Sequence, residues 1–352
     1  MTLSRDAIRP LLSNASAAQA AAILGAMSVV ATGGGAASDA DRHTLIAAAR
    51  FIFGQRETLD PEALPAITPE GLRAALAGSD LADNAVRFLT VMAFVDGVLD
   101  ATKIAAVLRY ATALGIHERY LDEIADAARG RLQEALADMT RCNMESITGA
   151  PWAGGDVNAW LLPYEGDGAD PALAARFAAL GELPAESFGH RLWSHFRAND
   201  YAFPGAPGGL NAAFSLPHDS VHVLTGYSTQ ARGEILTSTF TAAMHASYPM
   251  AGHVLPVILS WHVGQRINDV AGAASGALDV EEFWRAWAAG AAVGADTFAP
   301  GWDFWGVAAE PLVSLRERWG LPAEGLAGAA DGEVGLRPGH PEAGLISTQR
   351  AE

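Results

Sequence analysis

The chain has 352 residues, half of them hydrophobic, and a formal net charge of −17. This length allows two domains with sizeable cores. The negative charge repels phosphate backbones, which excludes nucleic acid as a partner class, and it disfavours electrostatic docking on anionic membranes. Cys142 is the only cysteine, so a disulfide framework and a cysteine zinc site are both excluded. The expected compartment is a reducing cytoplasm.

The N-terminal half is predicted to be helical. Residues 15–32 are apolar and rich in alanine, and polar residues interrupt the start of this stretch. It therefore fits a core helix better than a secretory signal. Residues 85–94, 103–114 and 120–139 carry apolar side chains at three- and four-residue spacing, which indicates three further helices.

A weak internal repeat occurs within this half. Residues 24–31 lead into glycines at 33–35 and a helix from about Asp39, and residues 88–95 lead into Asp96-Gly97 and a helix from about Asp100. The pattern resembles the tellurite-resistance protein B (TerB-like) domain over about residues 10–140. The resemblance implies a small helical bundle whose acidic turns can hold cations, although glycines occupy the first turn. Asp100 is explained equally by simple capping of the following helix.

Composition changes near residue 150. All nine tryptophans lie between Trp152 and Trp319, and glycine and proline are frequent at 149–155. Residues 280–292 then form an amphipathic pattern whose tryptophans indicate a core helix. We therefore predict an all-α protein with two helical domains, 1–145 and 150–325. Residues 326–352 are rich in Gly, Ala, Pro and Glu without periodicity, which predicts a disordered tail.

The pattern with the most chemistry is His218-Asp219-x-x-His222, followed after eleven intervening residues by Glu234. A helix capped by Ser215 and starting at Leu216-Pro217 would put both histidines on one side. A second helix from Ser228 or Thr229 would return Glu234 to them in its second turn. Imidazole and carboxylate ligands suit a divalent transition metal, above all zinc. The alternative is a capping Asp219 beside two histidines packed at a helix interface.

Asp219, the residue directly after the first histidine, limits which classes of metal enzyme fit the motif. Zinc proteases with this spacing carry glutamate after the first histidine as the general base, and here that position is Asp219. A metal-dependent hydrolase with a His…His-Asp…Asp arrangement would need a separate histidine and aspartate. His195 and Asp303 are available for those roles, although their spacing does not single them out.

The metal motif and its surroundings are similar to the coenzyme Q biosynthesis protein 4 family over about residues 155–325. Four segments carry the resemblance: Tyr201-x-Phe203-Pro204-Gly205-x-Pro207-Gly208, the metal motif with residues 223–227, Arg232-Gly233-Glu234, and residues 312–322. The resemblance implies an all-helical, lipid-handling protein with a zinc-type site. By position, the implied ligands are His218, Asp219, His222 and Glu234. The appended N-terminal domain is a departure from the basic family pattern.

The implied function is in ubiquinone-type (polyprenyl quinone) biosynthesis, as a metal-dependent lyase in the oxidative decarboxylation of a polyprenylated hydroxybenzoate. The implied partners are a polyprenylated aromatic lipid, and other biosynthetic enzymes or a second copy of the chain. A cytoplasmic protein with peripheral contact to the inner membrane face is expected. A non-catalytic lipid-binding scaffold with a structural metal remains the main alternative, and a metal-dependent hydrolase a weaker one. An enzyme would keep an open coordination position, whereas a structural site is closed by protein ligands.

Several other side chains are candidates for supporting roles. His245 follows Glu234 on the same side of a helix and is placed either next to the metal ligands or in a core hydrogen bond. Arg232 either holds a substrate carboxylate or lies on a solvated helix face, and Asp303 either faces a pocket or an ordinary domain edge. His253 and His262 are expected to be satisfied core histidines.

A lipid channel is predicted beside the metal motif. Residues 250–267 form an apolar run that is short for a membrane span and reads as a buried helix. Because this run follows the Glu234 helix directly, it would line a channel for a prenyl tail. The side chains expected to line it are those of Val254, Leu255, Ile258 and Trp261.

Overall fold

The protein is described by a computed structural model that covers residues 8–33, 35–55, 57–267 and 272–327. Within these residues the chain forms helices and two isolated β-bridges but no strand, so the predicted all-α class is confirmed. The first half contains α1 (Ala17–Thr32), α2 (Asp39–Phe51), α3 (Pro69–Ala75), α4 (Ala82–Met92), α5 (Ala101–Leu114), α6 (Arg119–Ala128) and α7 (Leu132–Thr148). The second half contains α8 (Val157–Leu161), α9 (Pro171–Ala178), α10 (Phe188–Ala198), α11 (Ala212–Thr225), α12 (Ala231–Met244), a π-helix (Pro249–Val254), α13 (Leu255–Trp261), α14 (Val280–Ala292), α15 (Phe304–Val307) and α16 (Leu312–Arg318).

The two helix starts of the internal repeat are confirmed. Ser38 caps α2 in a capping box with Asp41, and Asp100 caps α5 by accepting the backbone N–H groups of Thr102 and Lys103. The prediction of one helix over residues 120–139 was wrong. The chain breaks between α6 and α7 at Gly130, which has a φ of +84° and ends the apolar periodicity that the sequence suggested.

The turn at Asp96 serves an internal ion cluster. The Lys103 ammonium lies 2.7 Å from Asp96 Oδ2 and 3.1 Å from Asp41 Oδ1, and the Lys103 and Asp41 side chains are 5% and 1% exposed. Lys103 is the only lysine in the chain. We call these three residues the Lys103 cluster; it joins the two halves of the internal repeat.

The two predicted domains share one continuous hydrophobic core. Phe88 of α4 contacts Trp284 of α14, with ring centroids 5.4 Å apart, and α2 packs along α14. Asn143 of α7 donates a hydrogen bond to the Gly252 carbonyl of the π-helix at 2.7 Å. The predicted boundary falls where α7 ends at Gly149. Independent folding of 1–145 and 150–325 stays a prediction, and any such domain would expose large aromatic surfaces.

The prediction of a buried helix over residues 250–267 was only partly right. The segment begins as the π-helix, continues as α13, and ends at Trp261. Tyr248 precedes it with a φ of +47°, and Gly264 follows it with a φ of +84°. Wide π-helical turns commonly accompany functional sites. Here the π-helix carries His253.

The C-terminal end of the described chain is packed rather than extended. Leu326 is fully buried, and its N–H donates to the Thr225 carbonyl at 2.7 Å. The Ala327 N–H donates to the same carbonyl, so residues 326–327 are held at the end of α11, and the disorder of the tail stays a prediction. Residues 328–352 lie outside the described residues. None of the helices in the described part of the chain has the length and apolarity that a bilayer crossing requires.

Candidate metal centre

Helix α11 carries the two histidines, and it begins earlier than the sequence suggested. Asn211 caps it by accepting the Ala213 N–H, so the predicted start at Leu216-Pro217 with a Ser215 cap was wrong. Ser215 is instead buried inside the helix, and Pro217 is accommodated within it. A proline in a helix interior removes one backbone hydrogen bond, and α11 continues past Pro217 to its far end at Thr225.

That far end is held by Arg316. Its guanidinium donates to the carbonyls of Val223 and Leu224 at 3.0 and 2.8 Å, and to Ala323 at 2.8 Å. The carbonyls of Val223 and Leu224 belong to the last turn of α11, where a helix leaves its carbonyls without intrahelical partners. Burial, followed by the nearby Arg191, lowers the pKa of Arg316 to about 10, which still leaves it charged at neutral pH. Arg316 thereby fixes the turn that contains His222.

A short connection, residues 226–230, returns the chain to the histidines. Gly226 ends α11 with a φ of +82°, and α12 begins at Ala231 after the Gln230 cap. The predicted start at Ser228 or Thr229 was two or three residues too early, and Glu234 lies in the first turn of α12 rather than the second. Thr229 is occupied elsewhere, since its hydroxyl donates to Asn199 at 2.8 Å.

The predicted ligand side chains converge. His218 Nε2 lies 3.1 Å from His222 Nε2 and 3.3 Å from Glu234 Oε2, and His222 Nε2 lies 3.5 Å from Glu234 Oε1. One ligand atom each from His218, Asp219 and His222 lies within 4.8 Å of the others. We call His218, Asp219, His222 and Glu234 the His218 cluster. The carboxylates of Asp219 and Glu234 reach the paired imidazoles from α11 and α12 respectively.

His222 is held in a single orientation. Its Nδ1 lies 3.0 Å from the Tyr227 carbonyl and 3.1 Å from the Thr237 hydroxyl, and its side chain is fully buried. Because a carbonyl can only accept, the proton is on Nδ1 and the Nε2 lone pair points at His218 and Glu234. A hydrogen bond from the distant ring nitrogen is what usually orients a metal-binding histidine.

The electrostatics of the cluster favour positive charge. Burial opposes the imidazolium form, but Glu234 and then Asp219 raise the pKa of His222 above its usual value. Burial likewise opposes the carboxylate form of Glu234, but His222 and His218 hold its pKa far below its usual value. The cluster therefore stabilises a cation placed among its imidazole nitrogens and carboxylate oxygens, whether a proton or a metal ion.

His195 joins the cluster from α10. Its Nε2 lies 3.3 Å from Asp219 Oδ1, and its ring stacks on His222 with centroids 5.4 Å apart. The sequence suggested His195 only as part of a hydrolase arrangement with Asp303. Asp303 instead occupies the cap position of α15, and none of its described contacts reaches the cluster. The structure therefore brings His195, but not Asp303, to the metal motif.

Arg232 and His245, which the sequence suggested as supporting residues, each contact an aspartate outside the His218 cluster. Arg232 pairs with Asp279 at 2.9 Å, an interaction directed to the start of α14. His245 lies just after α12, and its Nδ1 donates to Asp296 Oδ2 at 2.8 Å. Asp296 was missed by the sequence reasoning, because no local spacing connects it to a residue 51 positions earlier.

His253 and His262 are satisfied core histidines, as predicted. His253 Nε2 lies 2.7 Å from the Ser146 hydroxyl. His262 Nε2 donates to the Val95 carbonyl at 3.0 Å, and its Nδ1 accepts the Leu278 N–H at 3.2 Å. Burial lowers the pKa of both imidazoles.

The residues of the predicted lipid channel lie mostly in the core. Val254, Leu255 and Ile258 are fully buried, and Trp261 is partly exposed against Gly272. A lipid-binding role for them stays a prediction. No protein-family model, curated protein or solved structure matched this chain in the comparisons with known proteins.

Proposed function

We propose that the His218 cluster binds one divalent metal ion, with zinc as the preferred metal. The supporting observation is the set of donor–donor distances of 3.1, 3.3 and 3.5 Å among His218, His222 and Glu234. Two nitrogen or oxygen ligands about 2.0–2.2 Å from a tetrahedral zinc ion lie about 3.3–3.5 Å apart. The donor atoms therefore already have a spacing that one zinc ion would require.

The charge of the donors supports the same ion. With neutral imidazoles, Asp219 and Glu234 contribute two negative charges, which a divalent cation balances. Histidine and carboxylate donors without a thiolate suit zinc and similar transition metals, and they are a poor set for calcium, which prefers oxygen alone. When bound, the ion would supply Lewis-acid chemistry to a carboxylate or ring oxygen.

We further propose that this metal centre acts in ubiquinone-type biosynthesis, on the carboxylate of a polyprenylated hydroxybenzoate. The support is the sequence pattern from Tyr201 to Glu234, together with an apolar π-helix and α13 that follow α12 directly. Val254, Leu255 and Ile258 would contact the prenyl tail. A tail methylene contributes about 0.8 kcal/mol when buried, so affinity should rise steeply with tail length.

The second candidate is a non-catalytic lipid-binding scaffold with a structural metal. The four candidate protein donors His218, Asp219, His222 and Glu234 favour it, because four protein ligands close a tetrahedral zinc site in the way that structural sites are closed. The hydrolase candidate keeps only the contact between His195 and Asp219 in its favour.

Metal analysis and native mass spectrometry of co-purified lipid test these proposals. The purified protein should carry about one divalent ion per chain, and the double variant His218→Ala/His222→Ala should lose it. His117→Ala, a change at an exposed histidine, is the matched control. Stoichiometric metal in the double variant would exclude the proposed centre.

Two single variants separate enzyme from scaffold. Ile258→Asp should abolish lipid binding and leave the metal in place, whereas Glu234→Gln should weaken metal binding and leave the lipid. Loss of both properties in both variants would make the metal a fold-stabilising clamp, and the scaffold would then be the better description.

A further inference from the structure

A second histidine–carboxylate pair lies apart from the metal ligands. Asp296 accepts two hydrogen bonds: its Oδ1 accepts the Phe298 N–H at 2.9 Å, and its Oδ2 accepts from His245 Nδ1 at 2.8 Å. Both carboxylate oxygens are therefore fixed, and the imidazole is fixed with its proton on Nδ1. A carboxylate that holds an imidazole in this tautomer is the arrangement by which enzymes prepare a histidine to accept a proton.

The other ring nitrogen of His245 is free to act. His245 is 8% exposed, and its Nε2 has no hydrogen-bond partner among the described residues. Leaving a buried polar atom without a partner costs about 1–3 kcal/mol. Such an atom calls for a specific explanation, and a bound hydrogen-bond donor is the direct one.

The side chains around His245 Nε2 indicate which kind of hydrogen-bond donor would bind there. Phe298 forms an aromatic wall, with its ring centroid 5.8 Å from His245 and 5.6 Å from His253. His253 is not a competing charge. The Ser146 hydroxyl donates to the Ser247 carbonyl, so it accepts its other hydrogen bond from His253 Nε2–H. Burial, followed by His245 and His218, lowers the pKa of His253 to about 3, so it stays neutral at physiological pH.

An uncharged aromatic hydroxyl matches these features. Its ring would lie against Phe298, and its O–H would meet the Nε2 lone pair of His245. A phenol, with a pKa near 10 as in tyrosine, gives up its proton to an imidazole far more readily than an aliphatic alcohol does. The proton would pass from the phenol oxygen to Nε2. This leaves a phenolate and an imidazolium, and the Asp296 carboxylate stabilises the imidazolium.

We propose that Asp296 and His245 form a proton-accepting site for a phenol-class ligand, with His245 Nε2 as the acceptor. The site goes beyond the proposed metal centre and shares no ligand with it. The two are nevertheless neighbours in the fold. Thr297, the residue after Asp296, donates to the carbonyl of Pro217 at 3.2 Å, and Pro217 directly precedes His218.

The test uses 4-nitrophenol and the full-length protein, because the phenolate form of this probe has its own visible absorbance band. At a pH where the free probe is mostly protonated, the wild type should produce a saturable phenolate band. His245→Gln should weaken that binding about 10- to 100-fold, the loss expected for a hydrogen bond to a charged group. Asp296→Asn should reduce the phenolate band, and His117→Gln, at an exposed histidine, should bind like the wild type.

Nitrogen NMR of histidine-labelled protein gives a second measurement that needs no folded variant. His245 Nε2 should be unprotonated in the free protein and become protonated as the probe saturates. A wild type without a saturable band, an unweakened His245→Gln, or a protonated Nε2 in the free protein at neutral pH would each overturn the proposal. Metal content measured on the same samples should not change in His245→Gln, which separates this result from the fate of the metal centre.

Discussion

The Lys103 cluster and the His218 cluster both place carboxylates inside the helical packing, and they balance that negative charge differently. In the Lys103 cluster the chain supplies the cation, an ammonium between Asp41 and Asp96. In the His218 cluster, two carboxylates surround imidazoles that offer lone pairs. Neutral imidazoles cannot balance carboxylates, so on the function proposed above this cluster would take its positive charge from outside, as a metal ion or a proton.

The difference separates a closed ion cluster from one that we propose as a metal site. The resemblance to TerB-like domains implied that the acidic turn of the internal repeat can hold a cation, and the alternative was a simple turn followed by an Asp100 helix cap. In the structure, the Lys103 ammonium stands beside that turn and occupies its Asp96 carboxylate. An acidic motif therefore indicates an ion site only when no side chain of the protein already provides the charge.

The largest expected effect is a loss of stability on removal of the Lys103 ammonium. Lys103→Met would leave Asp41 and Asp96 unpaired in a buried site, so we expect a loss of about 3–5 kcal/mol in the free energy of unfolding. Urea unfolding monitored by tryptophan fluorescence measures it. Asp39→Asn is the control on α2, the helix that carries Asp41, since the Asp39 side chain is 91% exposed and its ion pair contributes little.

The same variant tests the comparison directly. Calcium or manganese ions should restore part of the stability of Lys103→Met and leave the wild type unchanged, because only the variant has carboxylates without a cation. A variant as stable as the wild type would show that the buried ion pair is not what holds the two turns together.

A third carboxylate cluster balances its charge with a proton. Glu123 lies beside Asp138 and Cys142, and Arg119 donates to Asp138. Burial, followed by the neighbouring Asp138, raises the pKa of Glu123 to about 8 from an ordinary value of 4.5. Burial works in the same direction on Asp138, but Arg119 and Glu123 reverse it and hold the pKa of Asp138 well below its usual value.

This arrangement predicts the sign of a pH effect. Folded Glu123 keeps its proton up to about pH 8, while the unfolded chain releases it near pH 4.5. Its contribution to stability is therefore full below pH 4.5 and is lost as the pH rises towards 8. Relative to Glu123→Gln, the wild type should lose up to about 3 kcal/mol between pH 5.5 and 7.5. Unfolding at the two pH values measures this, with the exposed Glu134→Gln as control, and parallel profiles would contradict it.

These clusters also show what the sequence could and could not predict. His218, Asp219, His222 and Glu234 were found because helical spacing and a short connection bring them together locally. Asp296 was missed, and His195 was named only for a hydrolase arrangement with Asp303. Both approach their partners from other helices and loops, 24 residues away for His195 and 51 for Asp296. No periodicity encodes such contacts.

Helix types were predicted better than helix ends. The apolar pattern of α14 gave its bounds directly, whereas α11 extends before Pro217 because Asn211 provides an earlier cap. The break between α6 and α7 depends on Gly130, which has a positive φ. The apolar spacing over residues 120–139 did not indicate this break. The only signal in the sequence for the role of Lys103 was that the chain contains no other lysine.

A smaller effect is expected at the histidine behind Asp219. His195→Gln would remove the contact between Nε2 and Asp219 Oδ1 and the stacking on His222. Side chains that orient metal ligands typically contribute a factor of about 10–100 in metal affinity. Competition with a chromogenic chelator should show a loss in that range, with His117→Gln unchanged. An affinity within about twofold of the wild type would place His195 outside the metal centre.

The smallest expected effect concerns the hydroxyl that supports His222. Thr237 Oγ1 lies 3.1 Å from His222 Nδ1, and Thr237→Val removes this hydrogen bond at nearly constant volume. The Tyr227 carbonyl still holds the tautomer, so the cost should be about 1 kcal/mol, or about fivefold in metal affinity. Thr239→Val is the matched control. Thr239 is also fully buried on α12, but its hydroxyl donates to the Ile235 carbonyl, so the change should lower stability and leave metal affinity intact. Equal metal affinities for the two variants would mean that Tyr227 alone orients His222, and that the cluster tolerates the loss of its hydroxyl support.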